Sequence, residues 1–306
     1  MKNLKEEYLN SLKSSDTEEH IDLFFYRPLG FLWACFFRKI NQSPNVITIL
    51  SIFLGIGAGI LFYPDNILIN IIGIILLVWA NIYDSADGQL ARMTKQYSEI
   101  GRILDGLAGD LWFLSIYICI VLRTCRDNIF FNHHPYLIWI IACLAGISHI
   151  LQSSMADRFR QFHLYLLNRG ANKELTKAEQ IRLQVKERHN SIFQKFILWL
   201  YWFYTRLQEK MSPNLNIIVD TINERNKYKS MKSKDWEYMI GKSFPLCKWE
   251  NFLTFNWRTI FLIICILIGF PWIYFLIEIV VFNIVLLYLL VKQNKICSKS
   301  LVMLSN

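Results

Sequence analysis

Residues 81–110 read NIYDSADGQLARMTKQYSEIGRILDGLAGD, and their pattern decides the fold. Asp84 and Asp87 close a largely apolar run, 67–83, while Asp105 and Asp110 open another, 111–122. An Asp at the centre of a membrane helix costs about 2.5 to 3.5 kcal/mol on insertion scales, and less towards the helix ends. Four of them gathered at the ends of two such runs therefore point to use. Asp84, Asp87, Gly88 and Ala91 fall at i, i+3, i+4 and i+7, one face of a helix. Gly101, Asp105 and Gly109 fall at i, i+4 and i+8, again one face. The linker 92–100 is short and polar, so the two helices are expected to run antiparallel as neighbours, acidic face to acidic face. Grouped carboxylates repel unless cations sit among them, and hard oxygen ligands suit Mg²⁺, Mn²⁺ or Ca²⁺. Two such ions commonly clamp a phosphate or diphosphate. The blander reading is a helix pair with incidental interface charges.

Asp84-x-x-Asp87-Gly88-x-x-Ala91-Arg92, eight residues, then Gly101-x-x-x-Asp105 resembles the signature of the CDP-alcohol phosphotransferase (phosphatidyltransferase) family. These are integral membrane enzymes of phospholipid biosynthesis. The family's pattern has a last Asp four residues after Asp105; here that place holds Gly109, and Asp110 follows. In a regular helix a step of five residues turns Asp110 about 140° from Asp105. A single π-bulge, eased by Gly106 and Gly109, would return it to the face. Otherwise Asp110 is an N-terminal charge on the next span.

The resemblance implies transfer of a substituted phosphate from a CDP-alcohol to an acceptor hydroxyl, with release of CMP. It implies that Asp84, Asp87 and Asp105 ligate metal, two ions of Mg²⁺ or Mn²⁺. Asp110 would take the last Asp's part, as a further ligand, a general base, or both, making Asp105 and Asp110 the catalytic pair. Gly88, Ala91 and Gly101 lack bulk and would let nucleotide approach, and Arg92 would pair with phosphate or carboxylate. Ser43-Pro44-Asn45 and Thr48 also resemble the family, whose first span begins this way and contributes to nucleotide binding through Asn45 and Thr48. A plain helix cap explains the same residues equally well. The partners implied are a CDP-linked lipid donor, a polar alcohol acceptor, membrane lipid and a second copy of the chain.

Composition agrees with a membrane protein. The 306 residues are 54% hydrophobic, with a mean hydropathy of +0.28, and the apolar residues concentrate in runs. Lys and Arg outnumber Asp and Glu by 33 to 24, mostly outside those runs, as the positive-inside bias and anionic lipid predict. No nucleic-acid motif accompanies the charge, so no nucleic-acid partner is expected. The seven cysteines include no CxxC pair and are expected as apolar fillers. The amino-terminal residues lack the apolar core of a signal peptide.

Four segments are expected. Residues 1–42 form a cytosolic start and an interfacial helix, aromatic-rich but broken by Arg27 and Pro28. Residues 43–160 carry spans one to four with the Asp motif, and a turn signal at Pro64-Asp65-Asn66. His133 and His134 read as loop residues. His149 and Gln152 lie inside span four; His149 either bonds a neighbouring helix or meets substrate. Arg158 and Arg160 follow and would either hold an anionic acceptor or anchor the helix at the membrane face. Residues 161–255 form a basic, mainly helical cytosolic insertion without a catalytic motif. A long helix is expected over 174–210, ending in the aromatic run FILWLYWFY at the interface, with 221–234 loose. Residues 256–306 hold spans five and six and a cytosolic tail. These spans form either a hairpin at Gly269-Phe270-Pro271 or one kinked helix, and Glu278, inside the second, is either a functional acid or paired with a neighbouring helix.

The fold expected is all-α: an integral membrane six-helix bundle with an amino-terminal interfacial helix and a helical insertion between spans four and five. It crosses the membrane several times, with the site and both termini towards the cytosol. The activity expected is that of a phosphatidyltransferase, with CDP-diacylglycerol as donor and inositol phosphate or glycerol phosphate as acceptor. Four alternatives stand beside it: CDP-choline- or CDP-ethanolamine-type transfer to a lipid alcohol, an intramembrane prenyltransferase, a non-enzymatic cation transporter, and an inactive relative.

Overall fold

The computed structural model describes residues 2–12, 18–97, 99–170, 175, 177–187, 192–228 and 231–305. The described elements are helical. They are α1 (Lys2–Ser11), a π-helical turn (Asp22–Tyr26), α2 (Arg27–Lys39), α3 (Pro44–Leu61), α4 (Ile67–Thr94), α5 (Glu99–Asp127), α6 (Ile129–His133) and α7 (Pro135–Leu167). Then come α8 (Ala178–Glu187), α9 (Ile192–Met211), α10 (Pro213–Tyr228), α11 (Ser233–Glu250), a 3₁₀ turn (Asn251–Leu253), α12 (Phe255–Leu267) and α13 (Ile273–Ser305). Six stretches are long and apolar enough to cross a membrane: Pro44–Leu61, Ile67–Thr94, Ile103–Asp127, Pro135–Leu167, Ser233–Leu267 and Ile273–Leu304. Among the described residues the chain is all-helical with six candidate spans, the make-up of a multi-pass membrane protein. It divides into two compact units, residues 1–147 with 259–277, and 148–258 with 278–306.

In the first unit α3 packs along both α4 and α5. The cause lies in small residues. A Cβ on Gly55 would collide with the Trp112 ring of α5, and one on Gly59 would come within 2.8 Å of Ile116 N. A Cβ on Gly73 of α4 would meet Phe62 at 2.7 Å. Gly55 and Gly59 are spaced i, i+4, the small-xxx-small spacing that lets membrane helices close up. Without a hydrophobic drive in lipid, such close contact is what selects neighbours.

Helix ends follow local chemistry. Asn66 caps α4, accepting from Leu68 N at 3.0 Å and Ile69 N at 3.2 Å. Ser43 precedes Pro44 at the start of α3, though its hydroxyl makes no capping bond. Arg123 and Arg126, the two cations at the far end of α5, are fastened to the α3–α4 turn. Buried Arg123 donates to Phe62 O at 3.3 Å and pairs with Asp65. Arg126 donates to Tyr63 O at 3.2 Å and lies 4.5 Å over the Tyr63 ring.

α5 is an α-helix from end to end. The π-bulge expected near Gly109 is absent, and the π turn occurs instead at Asp22–Tyr26, next to the start of α2. α12 and α13 are separate helices, broken at residues 268–272 with Gly269 at φ +82°, so the single kinked helix is excluded.

The second unit holds the insertion. The one long helix expected over 174–210 is found as α8 and α9; Glu174 and residues 188–191 lie outside the described residues. Most of the stretch expected to be loose is helix α10, for Ser212-Pro213 both ends α9 and starts the next helix. Arg258 ties three helices together. It pairs with Glu278 of α13 and donates to His149 Nδ1 at 2.7 Å and to Gln152 Oε1 at 3.0 Å, both on α7. All four side chains are buried. Both His149 and Glu278 therefore resolve to helix pairing.

Candidate functional site

The carboxylates of Asp84, Asp87 and Asp105 converge. One oxygen from each lies within 4.8 Å of the other two. Asp87 is 3% exposed, Asp84 half-buried, and Asp105 exposed at the mouth. Asp84 and Asp87 come from the last turns of α4, and Asp105 from the first turns of α5. Beneath them lies an apolar cluster of Ala34 and Phe37 from α2, Ile47 from α3, and Ala86 and Leu90 from α4. That cluster fixes the rotation of α4, and so aims its acidic face.

Two further observations concern the carboxylates. Thr48 of α3 donates its hydroxyl to Asp87, and it also reaches Pro44 O at 3.2 Å. Thr48 is 2% exposed, so its part here is to orient Asp87. Asp84 Oδ1 is buried without a hydrogen-bond partner. A buried carboxylate oxygen left unsatisfied among three acids is the feature that a cation would answer. Three hard oxygen donors suit Mg²⁺ or Mn²⁺.

Asp110 stands outside this cluster. With α5 regular, the five-residue step leaves it on another face, as helix geometry requires. Gly88 and Ala91 line the same face of α4 as the acids. A Cβ on Gly88 would meet only the Arg92 guanidinium, at 3.5 Å, so Arg92 lies over this glycine. Gly101 opens α5 one turn before Asp105. Asn45 is half-buried in the first turn of α3. Arg158 and Arg160 face into the insertion of the second unit. Arg158 donates to Asn216 of α10 at 2.8 Å, and Arg160 to Asn251 at 3.5 Å.

The amino-terminal arm was missed by the sequence reading. Ser85, Gln89 and Arg92 form a stripe on α4 beside the acidic face, and the arm is fastened along it. Arg27 Nη1 donates to Ser85 Oγ at 3.2 Å while its Nε holds Glu18 Oε2 at 2.8 Å. Gln89 Nε2 donates to Ser11 Oγ and to Arg27 O, both at 3.2 Å, and Arg92 Nε donates to Ser11 O. Gly30 makes room: a Cβ there would meet Gln89 Oε1 at 2.7 Å and Ser85 Oγ at 2.8 Å. Burial works to lower the Arg27 pKa, but the charges of Glu18, Asp22 and Asp84 hold it above its ordinary value. A cation is thus fixed beside the carboxylates. The available signal was the i, i+4, i+7 spacing of polar residues inside an apolar helix.

Comparison with known proteins gives three results. Residues 41–159 match the family described as CDP-alcohol phosphatidyltransferase. A stretch of 71 residues is 42% identical to an uncharacterized protein of Aquifex aeolicus (strain VF5). It covers 23% of this chain and 34% of that relative, so the chain spans about a third of the curated relative it matches. No solved structure matches the chain.

Proposed function

We propose, from the match of residues 41–159 to the CDP-alcohol phosphatidyltransferase family, that this chain transfers a substituted phosphate from a CDP-linked lipid to a polar alcohol. CMP is the other product. The observation that carries this reading is the convergence of Asp84, Asp87 and Asp105 within 4.8 Å, one buried oxygen lacking a partner. When bound there, two divalent cations, Mg²⁺ or Mn²⁺, would neutralise the diphosphate and the departing CMP.

The chain's own residues do the remaining work. Thr48 holds Asp87 in its ligating orientation. Gly88 and Ala91 leave α4 without bulk where nucleotide lies against it. Arg92, with Nη2 lacking a hydrogen-bond partner, takes a phosphate oxygen. The acceptor oxygen bonds to the phosphorus that carries the lipid as the bond from that phosphorus to CMP breaks. Asp105, the exposed acid, takes the hydroxyl proton, since an alcohol is a poor nucleophile at neutral pH. The acids stand at the ends of two spans, where lipid and water-soluble nucleotide both reach. This fits a site facing the cytosol and a place in phospholipid biosynthesis. CDP-diacylglycerol is the donor of choice, with a free or phosphorylated polyol as acceptor.

The test is CMP release from the purified full-length chain with Mg²⁺ or Mn²⁺. One arm uses CDP-diacylglycerol with glycerol phosphate, inositol phosphate, inositol or serine; another uses CDP-choline with diacylglycerol. CMP in the first arm, absent from Asp105→Asn, is the expected result. CMP only in the second reverses donor and acceptor, and none in either overturns the reading.

A further inference from the structure

α9 is firmly held on one side. Ile197, Leu198, Thr205 and Gln208 are buried. Gln208 Nε2 donates to Ser154 O of α7 at 2.8 Å, and Asn216 Nδ2 of α10 donates to Glu209 O at 3.0 Å. Ala178 N of α8 donates to Glu209 Oε1 at 3.0 Å. Three neighbours in its own unit therefore fix this helix, and its other face is not a frayed end.

That other face is aromatic and cationic. Phe196, Trp199 and Phe203 are 55%, 54% and 54% exposed. They recur at i, i+3 and i+7 and form one stripe. Their rings stack along it, with successive centroids 6.3 Å apart and interplanar angles of 22° and 23°. Lys195, Arg206 and Lys210 are exposed on the same sector of the helix. Glu209 is the acid within 195–211, and it is turned away onto Ala178 N. The exposed face thus combines large rings with positive charge.

Its neighbourhood says what covers it. Ser154, where Gln208 is fastened, lies on the candidate span Pro135–Leu167, about one turn beyond Ile150, which is 43% exposed. α9 itself is not among the helices long and apolar enough to cross a membrane. Rings of Trp and Phe gather at the boundary of headgroups and acyl chains, and helices with a basic polar face lie in that plane. Lys and Arg beside them reach anionic headgroups.

We propose that the Phe196–Trp199–Phe203 face of α9 lies in the headgroup–acyl boundary of the membrane, with Lys195, Arg206 and Lys210 drawn to anionic lipid. The insertion is thereby a second membrane anchor, separate from the six spans, and its docking does not depend on the chemistry of the site.

The test reconstitutes the full-length chain and Trp199→Phe into phosphatidylcholine vesicles, with or without phosphatidylglycerol and with or without bromine high on the acyl chains. Phenylalanine keeps a ring in the stripe, so the variant folds. Subtracting the two emissions isolates Trp199 from the other tryptophans. The expected Trp199 component is blue-shifted and loses most of its intensity in brominated vesicles. Phosphatidylglycerol deepens that loss, and Arg206→Gln/Lys210→Gln abolishes the deepening. A water-like, unquenched component overturns the proposal, and so does a blue-shifted but unquenched one, which would mean a protein surface covers the face. Quenching indifferent to phosphatidylglycerol overturns the anionic-lipid half.

Discussion

Thr48 is the residue whose part changed most between sequence and structure. The SPN-x-x-T resemblance would put it on nucleotide; in the structure its hydroxyl meets Asp87 and Pro44 O. Groups that orient metal ligands typically change metal affinity by about 10- to 100-fold when removed. Thr48→Val should therefore raise the Mg²⁺ concentration for half-maximal CMP release by about that factor. An unaltered Mg²⁺ dependence would show that Asp87 is oriented without it. The two doubtful acids separate by the same logic. Asp105→Asn removes both a ligand and the proposed proton acceptor, and should slow turnover by about 10²- to 10⁴-fold or more. Asp110→Asn, on another face of a regular α5, should leave most activity. Equal losses in side-by-side CMP assays would place Asp110 at the chemistry after all.

Among the elements, periodicity was legible and partnership was not. Apolar runs, the Asn66 turn and the acidic faces of α4 and α5 are local patterns, and each is found where its spacing puts it. The close packing of α3 on α5 was written in Gly55 and Gly59, but a glycine pair does not say which helix it receives. The arm was harder still. Ser11 meets Arg92 across 81 positions of sequence, and only tertiary packing brings them together. The partners of Arg158 and Arg160 were hidden for the same reason, since Asn216 and Asn251 are 58 and 91 residues away. Two stability predictions belong to this scale. Gly59→Leu should push α3 off α5 and lower stability by about 1 to 3 kcal/mol, read as a fall in the thermal midpoint in detergent. Glu278→Gln strands Arg258 in a buried site and should be worse, about 3 to 5 kcal/mol. Adding Arg258→Met to a Glu278→Leu background should restore much of that loss. A double variant as unstable as Glu278→Gln would mean the pair is not what holds α7, α12 and α13.

The molecule as a whole makes a claim about sidedness. Six candidate spans lie among the described residues, and a chain crossing with all six would have the segment before α3 and the end of α13 on one side of the membrane. The expected side follows from the positive-inside bias. The turns at 62–66, 128–134 and 268–272 contain no Lys or Arg. The arm, the α4–α5 linker, the insertion and the tail after 291 carry them in number, and cations flanking spans stay in the cytosol. The apparent exceptions, Arg123 and Arg126, are tied to Asp65 and Asp127 and so add little bare charge to their side. Each acid of the candidate site lies at the basic ends of its spans, so sidedness also decides whether cytosolic nucleotide can reach it. Epitope tags at residues 1 and 306 should therefore be stained only after the membrane is permeabilised. A tag in the turn at 128–134 should be reached from outside without permeabilisation. The opposite pattern would put Asp84, Asp87 and Asp105 away from CDP-alcohols, and the proposed reaction would fail on access before any question of chemistry arose.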